Sequence, residues 1–148
     1  MTSNPWTYQG KEFHLPKGAD PKNIQGFVYQ ITHVPSGKSY IGKKSFWSAK
    51  SKQIKGKKKK FKVESDWKEY WGSSEYLLAD IDRLGAENFT RQILHVCAMK
   101  AHCSYFETYE IFARHCLLKP NAYWNEWVSG KVRRAHLKAL LEPSHASP

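Results

Sequence analysis

Five side chains carry most of the chemistry this sequence can offer. Tyr29 and Tyr40 flank ten residues that include Pro35-Ser36-Gly37-Lys38. In that stretch proline presets one dihedral and glycine admits the left-handed one, which makes a turn. The turn folds the two phenols into near neighbours. Lys43 follows three residues after Tyr40, Glu107 stands between Tyr105 and Tyr109, and Asn125 follows the aromatic pair Tyr123-Trp124. Phenols, an ammonium, a carboxylate and a carboxamide suit the hydrolysis of a phosphate ester. That reaction needs an activated water, neutralised phosphate charge and help for the leaving oxygen. Each residue also has an ordinary reading: a cross-strand aromatic pair for the tyrosines, a solvated helix position for Glu107 and its neighbour Glu110, a turn cap for Asn125.

The overall charge points the same way. Lys+Arg 24 against Asp+Glu 13 gives a net charge of +11 and a pI near 9.6. A small protein this basic needs a polyanion, nucleic acid first and an acidic membrane surface second. Residues 43–62 hold ten lysines and no acid. Such a block repels itself, and it reads as a flexible loop, about residues 45–63, that lies against phosphates. Phe46, Trp47 and Phe61 would anchor it. No run of about 18 apolar residues suggests a membrane span, and Met1–Trp6 contain no signal-peptide core, so the expected location is the cytosol. Three cysteines do not make a disulfide scaffold. With His95, His102 and His115, Cys97, Cys103 and Cys116 offer a rival zinc constellation, although their spacing lacks two paired knuckles.

The elements that must position these groups follow from periodicity. Residues 26–34 are β-branched and aromatic and read as a strand, and residues 39–43 resume extended structure as its hairpin partner. A short helix is expected over Glu64–Trp71. A second runs from Glu75 to Leu84, capped by Ser73 or Ser74 and stopped by Gly85. Asn88–Cys97 reads as a third strand. Residues 100–117 read as a third helix with a buried stripe of Tyr105, Tyr109, Phe112 and Cys116. Trp67, Trp71 and Trp124 are expected in the core. Residues 131–141 read as a basic amphipathic helix bearing Arg133 and Arg134, and Pro143–Pro148 as a loose tail. The expected fold is α/β (α+β): a small three-stranded antiparallel sheet flanked by helices. The expected division is an irregular N-terminal arm at 1–25, a catalytic domain at 26–127 and a basic C-terminal segment at 128–148.

Phe27-Val28-Tyr29, ten residues, then Tyr40-Ile41-Gly42 resembles the paired motif of the GIY-YIG nucleases. Phe27 stands in place of the first motif glycine, with Gly26 one residue earlier. Lys43 follows the second motif as a lysine does in repair members of that family. Glu107-Thr108-Tyr109-Glu110-Ile111 resembles the family's metal-glutamate helix, and Asn125 its late asparagine. The stretch from Tyr40 to Lys44, Glu64 to Trp67 and Tyr70 to Ser74 is similar to free-standing phage homing endonucleases of this type.

The resemblance implies a DNA endonuclease, with a restriction enzyme or a non-catalytic binding module as alternatives. It implies Tyr29, Tyr40, Lys43, Glu107 and Asn125 as site residues. Glu107 would hold one Mg²⁺ (or Mn²⁺), and a tyrosine would act on the attacking water. Either tyrosine would then need a lowered pKa, with Lys43 favouring the phenolate. The family places an arginine on the helix after the second motif. Here that segment has Lys68, a weaker phosphate grip, with Lys44 or Arg91 as other candidates. Double-stranded DNA is the expected partner, contacted by Lys44, Lys57, Lys58, Lys59, Lys60, Ser73, Ser74, Arg133 and Arg134. The chain is expected to act as a monomer or a transient dimer on DNA.

Overall fold

The computed structural model describes residues 4–141. The chain runs through β1 (Thr7–Tyr8), β2 (Lys11–Glu12), β3 (Gly26–His33), β4 (Ser39–Ser45), β5 (Trp47–Ile54), β6 (Lys57–Glu64), α1 (Glu75–Leu84), β7 (Phe89–Cys97) and α2 (Lys100–Ala113). Short 3-10 segments lie at Trp67–Glu69, Ala86–Asn88, Cys116–Leu118 and Arg134–Leu141.

The hairpin of β3 and β4 forms where the turn residues place it. Gly37 takes φ 76°, and the His33 amide donates to the Lys38 carbonyl at 2.8 Å. Period two then sorts the side chains of β3. Phe27, Tyr29 and Ile31 enter one core with Trp6, Phe46, Trp67 and the α1 residues Leu77 and Ile81. Val28 enters the opposite core with Ile41, Cys97 and the α2 residues Cys103 and Ile111. The sheet is therefore a middle layer with one helix on each face. Against β7 the register of β3 shifts between Val28 and Tyr29. A bulge of this kind re-aims a side chain, and here it falls at a candidate catalytic tyrosine.

The sheet has five strands in the order β2-β1-β7-β3-β4, not three. The extra pair comes from the N-terminal segment, where β1 joins β7 in parallel. Two-residue strands carry no readable period. What recruits them is Trp6, 2% exposed, whose indole N–H donates to the Trp67 carbonyl at 2.7 Å.

Other expectations shift too. The lysine block is not a loop but the long hairpin β5–β6, closed by Lys55 and Gly56 with φ of 51° and 75°. Cross-strand backbone bonding offsets the repulsion. The expected helix at 64–71 is reduced to one 3-10 turn, and residues 134–141 are 3-10 rather than α-helical. Helix α1 has the expected bounds: the Ser74 hydroxyl accepts from the Leu77 amide, and Gly85 ends it at φ 90°. Helix α2 buries a different face from the one expected. Tyr105, Tyr109 and Phe112 are exposed, and His102, Cys103 and Ile111 are buried. The aromatic spacing was periodic but lay on the solvent side. The expected tail at 143–148 lies outside the described residues.

Candidate active site

Strand β4 is the edge of the sheet, and only part of that edge is closed. Asn125, buried at 7% exposure, accepts from the Ile41 amide at 3.0 Å and donates to the Ile41 carbonyl at 2.8 Å. The Ser39 amide donates to the Ala122 carbonyl, and the Trp124 amide to the Ser39 carbonyl. The segment 122–125 thus seals β4 at Ser39 and Ile41. Beside this seal opens a cleft of about 470 Å³ whose wall includes Tyr29, Tyr40, Gly42, Lys43, Glu107 and Asn125.

Each wall residue has a local reason to be there. Tyr29 pairs with Gly42 across the hairpin, and Ile31 with Tyr40. A Cβ at Gly42 would collide with the Tyr29 hydroxyl and ring and come within 3.0 Å of Tyr40. The glycine leaves the space the two phenols occupy, their ring centroids 6.3 Å apart. Lys43 points to the other face of β4, where its ammonium donates to the Ser104 hydroxyl of α2 at 2.8 Å. Glu107 reaches the cleft because α2 turns the Cys103–Ile111 side toward the sheet. A carboxylate interrupts that buried stripe, at a cost that an apolar residue would avoid. From the opposite side Ser73, Ser74, Glu75 and Tyr76 bring the N-terminus of α1 to the cleft. Ser74 already takes the Leu77 amide, and the positive dipole end of the helix suits an anion.

The electrostatics depart from the sequence expectation. Tyr29 lies well above the ordinary phenol range, chiefly through burial, with further contributions from Tyr70, Tyr40 and Glu107. Tyr40 is raised too, by burial first; a hydrogen bond with Ser73 offsets part of this and Glu107 adds to it. Lys43 therefore does not produce a lowered phenol. It acts on Glu107, whose carboxyl is raised by burial and pulled back by the Lys43 charge.

Several expected residues lie elsewhere. Lys68 is not on the cleft wall; its ammonium rests over the Trp67 ring. Arg91 is 1% exposed. Its guanidinium donates to the carbonyls of Asn4, Lys68 and Tyr70 and stacks on Trp6 and Trp71. It holds the N-terminal segment in place and does not reach the cleft. Lys44 pairs with Asp66 at 2.7 Å and covers the Tyr70 ring. Among the described residues of the wall, Lys43 is the basic one. Glu110 is not a solvated residue: it pairs with His95 and Arg114. The sequence reading missed Tyr76 and Trp127, exposed aromatics on the rim, and the carboxylates of Glu75 and Glu126. No motif flags these, because only the fold brings residues 73–76 and 124–129 together.

Cys97, Cys103 and Cys116 share one buried apolar cluster, but among the described residues no three of His, Cys, Asp and Glu are placed to hold a metal ion, so the rival zinc constellation finds no site. The chemistry of the cleft does fit a hard divalent cation. Mg²⁺ accepts one or two carboxylates and completes its shell with water and substrate phosphate, and Glu107 is a half-buried carboxylate facing such a space.

A mixed sheet with a helix on each face, and Tyr29 and Tyr40 on adjacent strands beside Glu107 of α2, are consistent with the GIY-YIG class. The chain belongs to the family described as "Putative endonuclease segE, GIY-YIG domain", whose model matches residues 6–128. No curated protein and no solved structure matches it. Among the described residues no helix is long and apolar enough to cross a membrane.

Proposed function

We propose that this endonuclease domain is a homing endonuclease that hydrolyses phosphodiester bonds of double-stranded DNA with one divalent cation held by Glu107. The observation that carries the reading is the convergence of Glu107, Lys43, two phenols and the α1 N-terminus on one cleft at the open edge of β4. The homing assignment is supported by the similarity of residues 40–44, 64–67 and 70–74 to free-standing phage enzymes.

Lys43 and the positive N-terminal end of α1 bind the scissile phosphate, and they do so without an arginine. Tyr40 is the phenol reachable from the cleft, and Ser73 fixes its direction; after its own proton is lost to solvent, the phenolate orients the attacking water and receives that water's proton. Tyr29 is almost fully buried and stays protonated. It sets the position of Tyr40 through the shared space over Gly42. Asn125 touches neither water nor phosphate; it holds the β4 backbone between Tyr40 and Gly42. Glu107 would hold a Mg²⁺ or Mn²⁺ ion, which would supply Lewis-acid polarisation of the phosphate and stabilisation of the leaving oxygen. Neutralising Glu107 also removes one of the charges that lift the Tyr40 phenol. Lys57, Lys58, Lys59 and Lys60, with Arg133 and Arg134, hold duplex DNA outside the cleft.

The test is cleavage mapping on end-labelled duplex DNA with purified protein and Mg²⁺. The expected result is metal-dependent cutting that chelation stops, at few sites in a long substrate. Metal-independent cutting, or binding without any cutting, would overturn the reading.

A further inference from the structure

Among the described residues, the hairpin β5–β6 has no core of its own beyond its root. All fourteen residues from Ala49 to Lys62 are exposed, and eight of them are lysine with no acid among them. Lys52 stands directly opposite Lys59, a like-charge pair that destabilises a sheet unless an anion relieves it. Nevertheless the two strands keep a full eight-residue register, from Trp47↔Glu64 to Ile54↔Lys57. An electrostatic patch for phosphates alone needs no such order, since a flexible tail would serve.

The root of the hairpin is rigid. β5 continues β4 after a single residue, Phe46, which is fully buried. The Ser65 amide donates to the Phe46 carbonyl at 2.8 Å, and the Ser65 hydroxyl to the Ser45 carbonyl at 2.7 Å. The Trp47 indole N–H donates to the Ile24 carbonyl at 2.7 Å. Both legs are thus tied to the domain, and the same strand that carries Tyr40, Gly42 and Lys43 runs on into the arm. Eight extended residues reach about 25 Å.

We infer that β5–β6 is a β-ribbon that enters the major groove of duplex DNA and sets which phosphate arrives at the cleft. This rests on the endonuclease reading above and adds the mode of recognition to it. Two strands about 4.8 Å apart match a major groove about 12 Å wide and exceed a minor groove about 6 Å wide once side chains are included. Alternation gives the ribbon two faces. One presents Ser51, Gln53, Lys58 and Lys60, which are donors and acceptors that base edges take. The other carries the Lys52–Lys59 pair, whose repulsion the backbone phosphates relieve.

The full chain with Glu107→Gln, which leaves DNA uncut, is titrated into a labelled mixed-sequence duplex and read by fluorescence anisotropy. Methyl green then occupies the major groove, or distamycin the minor groove. Methyl green is expected to weaken binding tenfold or more, and distamycin less than twofold. A second chain replaces Ser51–Lys60 by Asn-Gly, a turn closing on the paired Lys50 and Phe61. Six lysines go, so the log–log salt slope is expected to fall by up to about 5 units, and sensitivity to methyl green to disappear. Competition by distamycin alone, or indifference to both dyes, overturns the ribbon, as does equal affinity for A-form RNA, whose major groove is too narrow for it. The dye comparison uses the intact ribbon and does not depend on the shortened chain folding. If the unsubstituted chain cuts duplex DNA but binding ignores both dyes, the ribbon alone fails. If the chain binds no duplex at all, the endonuclease reading fails with it.

Discussion

At the scale of single residues, the proposed site asks one carboxylate and two phenols to do different work. Glu107→Gln keeps the shape of the side chain and removes the charge that would hold the cation. Cleavage should be abolished, while binding of uncut duplex stays within a few-fold; turnover like that of the unsubstituted protein would take Glu107 out of the site. The tyrosines separate by burial. Tyr40→Phe removes the hydroxyl that faces the cleft and should slow single-turnover cleavage by about 10² to 10⁴, the usual weight of a general base. Tyr29→Phe removes a hydroxyl buried against Tyr70 and should cost less in rate. The double variant should lose no more than Tyr40→Phe alone by much, because groups that act as a unit are not additive. Normal rates in all three variants would end the tyrosine mechanism.

At the scale of elements, the decisive feature is an edge strand that is sealed at one end and open at the other. Asn125→Ala removes both hydrogen bonds to Ile41 and leaves a buried amide and carbonyl unpaired. A loss of about 1–3 kcal/mol of stability is expected, seen as a lower midpoint in denaturant, together with a fall in kcat because Tyr40 and Gly42 lose their fixed backbone. A catalytic role alone would lower kcat and leave the midpoint in place. The elements also separate what was legible in the sequence from what was not. β3, β4 and β7 could be read from β-branched and aromatic runs, α1 from its helical period, and their ends from Gly37, Ser74 and Gly85. Order and spacing singled out Tyr29, Tyr40, Lys43 and Glu107, and the fold brings these four to one cleft. β1 and β2 could not be read, being two residues each and held by the tertiary contacts of Trp6. The inner face of α2 was missed because its buried side contains carboxylates while its aromatics face solvent. Charge repulsion argued against order in residues 45–63, yet pairing and a two-residue turn outweigh it. The ordinary burial of two phenols among aromatic rings overrides the lowered pKa that a neighbouring lysine suggested.

At the scale of the whole molecule, charge and stoichiometry of sites set the behaviour on DNA. Replacing Lys57, Lys58, Lys59 and Lys60 by Ser removes four exposed charges from the arm. The slope of log affinity against log salt should fall by up to about 3 to 4 units, which titrations at several salt concentrations measure directly; an unchanged slope would mean that these lysines meet no phosphate. Stoichiometry gives the last expectation. The described chain offers one cleft with one Glu107 and one Lys43, room for one scissile phosphate. A duplex has two, with opposite polarity, so a chain bound at one strand must leave and rebind, or be joined by a second copy, before the other strand is cut. On supercoiled plasmid with Mg²⁺ and protein well below the plasmid concentration, nicked circles should therefore accumulate first, and linear DNA should follow with a lag. Raising the protein should shorten the lag more than it speeds the first nick. Linear product appearing from the first time point without a nicked intermediate, at protein concentrations below the plasmid, would show that two clefts act together in a preformed pair.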